Sequence, residues 1–220
     1  FAVGEVAVSS IAYYTVSASS PQSAGGTFSV TVTAKDSGNN TVNDNSTAVT
    51  MTSSGSAQFD ANGDTTFGDN VKVLSAGTFT IDCKDNKAET ITVTATDVSS
   101  TNGTSSSITI NPGALTKLQL LVPGETATPG VGSGKTGSPT AQEIGTPFNV
   151  TVKGVDAFWN QVSSSDTVGI TSSDGAATLP ANAALAGGTQ TFSVTFGTTG
   201  SQTLTATDIS NGGISKSYKK

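Results

Sequence analysis

The sequence has no histidine, no arginine and a single cysteine, and only 12% of its 220 residues are charged. Each shortage excludes a class of chemistry. Without His there is no Ser–His–Asp or Cys–His nucleophile system and no imidazole metal ligand. Without Arg there is no bidentate clamp for phosphate or carboxylate. Ten Lys against 16 acidic residues leave a net charge of −6, the reverse of the basic face that nucleic acid demands. The apolar runs are too short to span a bilayer, so no membrane span is expected. Glycoside hydrolysis would need a pair of carboxylates. Glu89, Glu125 and Glu143 lie near turns or beside a Gly-rich stretch and form no such constellation. No enzyme activity is expected.

What the chain does have is 37 Thr, 30 Ser and 25 Gly. Lone Cys83 cannot form an intramolecular disulfide. Low Cys, low Lys and abundant Thr and Ser fit a bacterial or archaeal protein exported to the cell surface, folding without disulfides. The row opens at Phe1 inside a strand-like stretch, as expected of a processed product or an excised fragment.

An internal repeat organises the chain. Phe28-Ser-Val-Thr-Val-Thr-Ala-Lys-Asp36 matches Phe148-Asn-Val-Thr-Val-Lys-Gly-Val-Asp156, and Asn40 and Val42 match Asn160 and Val162. Thr52-Ser-Ser54 matches Thr171-Ser-Ser173, and Thr94-Ala-Thr-Asp97 matches Thr205-Ala-Thr-Asp208. Two copies of one module therefore meet near Asn111-Pro112-Gly113. Within each copy the apolar residues alternate with period two, as in Phe28, Val30, Val32 and Ala34, or Phe192, Val194 and Phe196. That places one strand face on a core and the other in water. Thr suits the wet face, being β-branched yet polar. Gly, Asn, Asp and Pro clusters interrupt the strands at about the 8–12-residue spacing of a sandwich. The expected fold is all-β, two tandem immunoglobulin-like β-sandwiches over 11–111 and 112–220, preceded by an N-terminal strand at 1–10. The second copy carries a Gly/Pro-rich insertion over 128–140.

The order Phe-x-Val-x-Val-x-Ala-x-Asp-x-x-x-Asn, then Thr-Ser-Ser, then Thr-Ala-Thr-Asp, resembles the bacterial Ig-like repeats of large surface proteins and of invasin/intimin-type adhesins. The resemblance covers nearly all of both copies. It implies extracellular spacers, adhesin stalks or surface-array components, with neighbouring Ig-like modules as partners and no catalytic residues to transfer.

Three groups of residues are candidate sites. Asp60, Asn62 and Asp64, with Asp69 beyond, set alternate oxygens in a Gly-containing loop, as Ca²⁺ requires. The competing reading is an Asx-rich turn. The aligned segment of copy two, Pro180-Ala-Asn182-Ala-Ala184, has lost every carboxylate. No other cofactor is expected. Phe158 and Trp159 sit in a loop where copy one has Gly38-Asn39, and a Trp beside a loop can stack a surface glycan. Alternatively the pair caps its sandwich or packs on the Gly-rich insertion. Cys83 aligns with Phe196, which makes it a small core residue. Asn39, Asn45, Asn102 and Asn149 each open a glycosylation sequon.

The third group lies at the N-terminus. Phe1 to Ser10 precedes the Ile11–Ser17 strand in the way that Ser105 to Asn111 precedes Ala114 to Val122. It resembles a closing strand whose own module is missing, with Phe1, Val3, Val6 and Val8 as candidate assembly residues. Ile214-Ser-Lys-Ser-Tyr218-Lys-Lys220 is a poor, basic equivalent at the other end. Such ends invite strand donation between copies of the chain, and head-to-tail donation does not close. The expectation is a structural segment of a surface stalk, layer or filament. The alternative is an adhesin or carbohydrate-binding module using Phe158 and Trp159.

Overall fold

The computed structural model of the chain describes residues 10–214 and 217–219. Phe1, Val3, Val6 and Val8 lie outside the described residues. The chain divides between Asn111 and Pro112 into two compact units, each with its own apolar core.

Unit 1 contains β1 (Tyr13–Ser17), β2 (Gln22–Ser23), β3 (Thr27–Lys35), β4 (Ala48–Ser53), β5 (Gln58–Asp60), β6 (Val71–Val73), β7 (Thr78–Lys84), β8 (Thr90–Ile91), β9 (Val93–Asp97), β10 (Asn102–Thr104) and β11 (Ile108–Asn111). Unit 2 contains β12 (Lys117–Leu121), β13 (Glu125–Ala127), β14 (Lys135–Gly137), β15 (Phe148–Val155), β16 (Thr167–Ser172), β17 (Ala183–Ala184), β18 (Thr189–Val194), β19 (Leu204–Asp208) and β20 (Ser217–Lys219). The chain is all-β, as its periodicity predicts, and no helix occurs among the described residues.

In unit 1 one sheet runs β1-β3-β7-β5 and another β10-β9-β4-β6. Unit 2 repeats them as β12-β15-β18 and β17-β16-β19-β20. The period-two pattern explains the core. Along β3 the residues alternate exposed and buried, with Val30, Val32 and Ala34 fully enclosed. Val150 and Val152 of β15 are enclosed in the same way. Outward-facing Asn149 is exposed, as its place in the pattern predicts.

Strand pairing corrects the expected alignment in two places. Phe28 stands opposite Cys83, and Phe148 stands opposite Val194. The counterpart of Cys83 is therefore Val194, and that of Asp85 is Phe196. Cys83 is nonetheless a fully buried core residue. Likewise Ala184 pairs with Thr167 as Val73 pairs with Ala48. Asp60 to Leu74 in unit 1 and Pro180 to Leu185 in unit 2 span the same connection, which is much longer in unit 1. The Asp60–Asp69 loop lies in that extra length, so Asn182 and Ala184 are not the counterparts of Asn62 and Asp64.

Three tight loops share one design. In each, an Asp carboxylate accepts backbone N–H groups two and four residues on: Asp36 from Gly38 and Asn40, Asp97 from Ser99 and Thr101, Asp156 from Phe158 and Asn160. The residue before the last is left-handed, with φ of 66° at Asn39, 67° at Ser100 and 70° at Trp159. The carboxylate replaces missing ladder partners and holds the turn closed. A Trp in that conformation is a true outlier.

Candidate functional site

The Asp60 loop brings its four named residues together but turns their oxygens to the backbone. Asp60 accepts from Gly63 N and Thr65 N, both at 2.7 Å, and is almost fully buried. Asp69 accepts from Ala61 N at 3.1 Å, Asn62 from Asp64 N at 2.9 Å, and Asp64 from Thr66 N at 2.7 Å. The Thr66 amide holds the Asp64 carboxyl below its usual range. The loop is a run of Asx turns. Among the described residues no three His, Cys, Asp or Glu side chains are grouped so as to hold a metal ion.

Phe158 and Trp159 lie on the inserted segment of unit 2, whose hairpin β13–β14 begins at Glu125, ahead of the expected Thr128. Trp159 Nε1 donates to Gly132 O at 2.9 Å, and Gly130 N donates to Phe158 O at 2.8 Å. Gly134, at φ 70°, lies so close that a Cβ there would fall 2.1 Å from Trp159 Cγ. Lys117 Nζ stands 3.5 Å from the Trp159 ring centroid and donates to Ala157 O at 2.8 Å. Burial draws that ammonium below its usual pKa range, opposed by the Asp156 carboxylate. Unit 1 has a smaller version of this contact, in which Tyr13 OH donates to Asn39 Oδ1 at 2.7 Å. The first residue of each unit's leading strand thus grips the left-handed residue of the Asp loop.

A cavity lies at another place in unit 2. In unit 1, β11 threads between two short partners. It pairs in parallel with β2, Ile110 opposite Gln22, and antiparallel with β8, Ile108 opposite Ile91. Ile110 N donates to Glu89 O and Ala24 N donates to Asn111 O, each at 2.8 Å. Ile108 and Ile110 are buried in the core beside Phe28 and Val93. In unit 2 the counterparts of β2 and β8 are Gln142–Glu143 and Ser201–Gln202, and neither forms a strand. The equivalence is fixed by matching hydrogen bonds. Gly25 N donates to Asp85 O as Gly145 N donates to Phe196 O, and Ser54 N donates to Thr92 O as Ser173 N donates to Thr203 O.

Between these two segments lies a cavity of ≈ 520 Å³, lined by Val122, Ile144, Phe148, Phe196, Gln202 and Leu204 among others. Phe148 and Leu204 are the counterparts of Phe28 and Val93. Ile144 is 49% exposed. Phe196 packs on Phe148 with ring centroids 5.0 Å apart. Its counterpart Asp85 is a buried carboxyl that accepts from Ser56 Oγ and Lys87 N, while Oδ2 has no partner. Burial raises its pKa. Phe196 thus sets a ring where unit 1 has a buried carboxyl, and Gln202 stands where unit 1 has the buried Ile91.

The chain end does not play the part expected of it. Ser217–Lys219 pairs with β19, Thr205 opposite Tyr218, as Asn102–Thr104 pairs with β9, Thr94 opposite Thr104. It is the counterpart of β10, one strand earlier than β11. The slot residues Ile144, Phe196, Gln202 and Leu204 were not singled out by sequence reasoning.

No family model matches the chain, and no curated protein matches it. Among solved structures, the D0-D1 domain of intimin is similar at 16% identity, over 94% of this chain and 95% of that one, with a TM-score of 0.36. Domains 5-6 of the S-layer protein SbsC are similar at 18% identity over 96% of each chain, with a TM-score of 0.36. The Yersinia pseudotuberculosis adhesin InvE is similar at 18% identity, over 98% of this chain and 60% of that one, with a TM-score of 0.41.

Proposed function

We propose that the chain is a non-enzymatic structural protein of the cell surface, a tandem sandwich segment of an extracellular stalk, surface layer or self-assembling filament. The observation that carries this reading is the tandem repetition of one sandwich, each copy with its own apolar core, joined directly at Asn111 and Pro112. The strand that closes unit 1 ends at Asn111, and the strand that opens unit 2 begins at Lys117. Gly113 N donates to Asp156 Oδ2 at 2.8 Å within unit 2. Pro112 narrows the conformations of its own residue and of Asn111. Modules built in this way add in series, the closing strand of one leading into the next.

Composition supports the location. Acidic, Thr/Ser-covered faces keep neighbouring copies soluble, and Cys83 is enclosed where no oxidising compartment reaches it. Gold-labelled antibody against the chain should decorate intact producing cells. Labelling only after permeabilisation would contradict the reading.

The alternative is glycan binding by Phe158 and Trp159. Against it stands the engagement of the Trp159 ring by Lys117 and Gly134. Alanine at both aromatics should leave retention on a glycan array unchanged, and a loss of retention would favour the adhesin.

A further inference from the structure

We infer that Asn211, in the turn between β19 and β20, is a modification site, where the backbone nitrogen of Gly212 displaces the side-chain amide and leaves aspartate and isoaspartate. This goes beyond the surface-structural reading and does not depend on it.

The chemistry needs an asparagine followed by a residue with no side chain to block the approach. It also needs a backbone N–H able to lose its proton and a turn that brings Cγ to that nitrogen. The nitrogen bonds to Cγ, its proton leaves with the Nδ2 group as ammonia, and a cyclic succinimide closes. Water then opens the ring. Breaking the bond to Cγ gives aspartate, and breaking the bond to the main-chain carbonyl carbon routes the chain through Cβ and Cγ as isoaspartate.

Asn62-Gly63, Asn102-Gly103 and Asn211-Gly212 are the Asn-Gly pairs of the chain, and sequence alone makes them equal. Their surroundings separate them. Gly63 N donates to Asp60 Oδ1 at 2.7 Å, and that nearly fully buried carboxylate opposes loss of the proton. Gly103 lies in β10 opposite Ala95, so close to Tyr14 that a Cβ would fall 1.8 Å from its carbonyl oxygen. In that extended backbone the Asn102 side chain stands off the sheet, away from the next nitrogen. Its Nδ2 donates to Ser100 O at 3.3 Å.

Asn211 has neither restraint. It and Gly212 are exposed, and Gly212 N donates to no partner among the described residues. Asp208 Oδ1 accepts from Asn211 N at 2.8 Å, and Asn211 Oδ1 accepts from Gly213 N at 3.2 Å. The second bond closes an Asx turn that folds the side chain back towards the Gly212 nitrogen. It also aims a donor at the oxygen on which negative charge gathers as Cγ is attacked. Asn62 makes the same turn, its Oδ1 accepting from Asp64 N at 2.9 Å. The difference between the two sites is therefore the bond from Gly63 to Asp60. A Cβ at Gly212 would meet nothing within 4 Å, and its φ is not left-handed, so the turn itself does not demand glycine there. The product adds a carboxylate to a chain already at −6 and, as isoaspartate, lengthens the main chain between β19 and β20. The counterpart turn of unit 1, Asp97 to Thr101, contains no asparagine.

The test incubates the full folded chain in mildly alkaline buffer and follows each Asn-Gly pair by peptide mass spectrometry, beside the same chain in guanidinium chloride. Unfolded, the sites should convert at similar rates. Folded, Asn211 should convert at least an order of magnitude faster than Asn62 or Asn102, with isoaspartate as the larger product. Gly212→Ala should slow conversion at Asn211 by a similar factor and leave the melting temperature unchanged. Equal rates in the folded chain, a lead by Asn62 or Asn102, or no conversion at Asn211 would overturn the assignment. So would an equally wide spread of rates in guanidinium chloride. Aspartate formed without isoaspartate would overturn the attack by Gly212 N.

Discussion

Ile108 of β11 stands directly opposite Ile91 of β8, and each is only 1% exposed. The contact links the last strand of unit 1 to a segment that is a strand only because β11 is beside it. Ile108→Ala should therefore cost about 2–5 kcal/mol, the range for a buried Ile truncation. The loss should appear in the unfolding of unit 1 and leave unit 2 unchanged. Calorimetry on the full chain reads this, and a single transition shifted as a whole would contradict it.

Tyr14 OH donates to Asp97 Oδ2 at 2.9 Å, while the equivalent Asp208 Oδ2, in the unit where Leu118 holds the position of the Tyr, is buried without a partner. Burial first, then the bond to Asp97, push the Tyr14 pKa above its usual value. Tyr14→Phe would leave Asp97 as Asp208 is, at a cost of about 1–3 kcal/mol. Denaturant unfolding measures this, and an unchanged midpoint would contradict it.

Cys83 gives a pH dependence with a definite sign. Burial, with the nearby Asp85 carboxylate second, pushes its thiol from 9.0 to about 12. The folded state thus holds the neutral thiol where the unfolded chain ionises. That contribution is complete below about pH 9 and is lost as pH rises towards 12. Cys83→Val, the residue found at the equivalent position 194, lacks this loss. Relative to the parent it should gain stability as pH rises from 9 to 11, by up to about 1.4 kcal/mol per pH unit. A difference constant with pH would contradict the burial.

Gly134 is the pivot of the inserted hairpin against Trp159. Gly134→Ala would set a Cβ inside the indole and place an alanine at φ 70°, costing about 1–3 kcal/mol through overpacking. Trp159 is the sole tryptophan, so intrinsic fluorescence reports this site alone. A red shift is expected, and an unchanged spectrum would contradict the packing described.

Much of this architecture is legible in the residues. The match of Phe28–Asp36 to Phe148–Asp156 places β3 and β15, and the alternation within it assigns the buried face correctly. The misplacement of Cys83 against Phe196 has a simple cause. Side chains repeat every two residues along a strand, so a slip of two keeps every residue on its face, and only the pairing register separates Val194 from Phe196. The Asp60 loop misled similarly, because a gap-free comparison hides an insertion whose ends are both polar. The open slot is a property of two distant segments, Gln142–Glu143 and Ser201–Gln202, whose shared feature is a strand that neither encodes.

The most direct test of the central claim is negative-stain electron microscopy of the surface of intact producing cells beside cells from which the gene for the chain has been deleted. The account expects a stalk, layer or filament on the parent cells that the deletion removes or thins. Identical surfaces on both would contradict it.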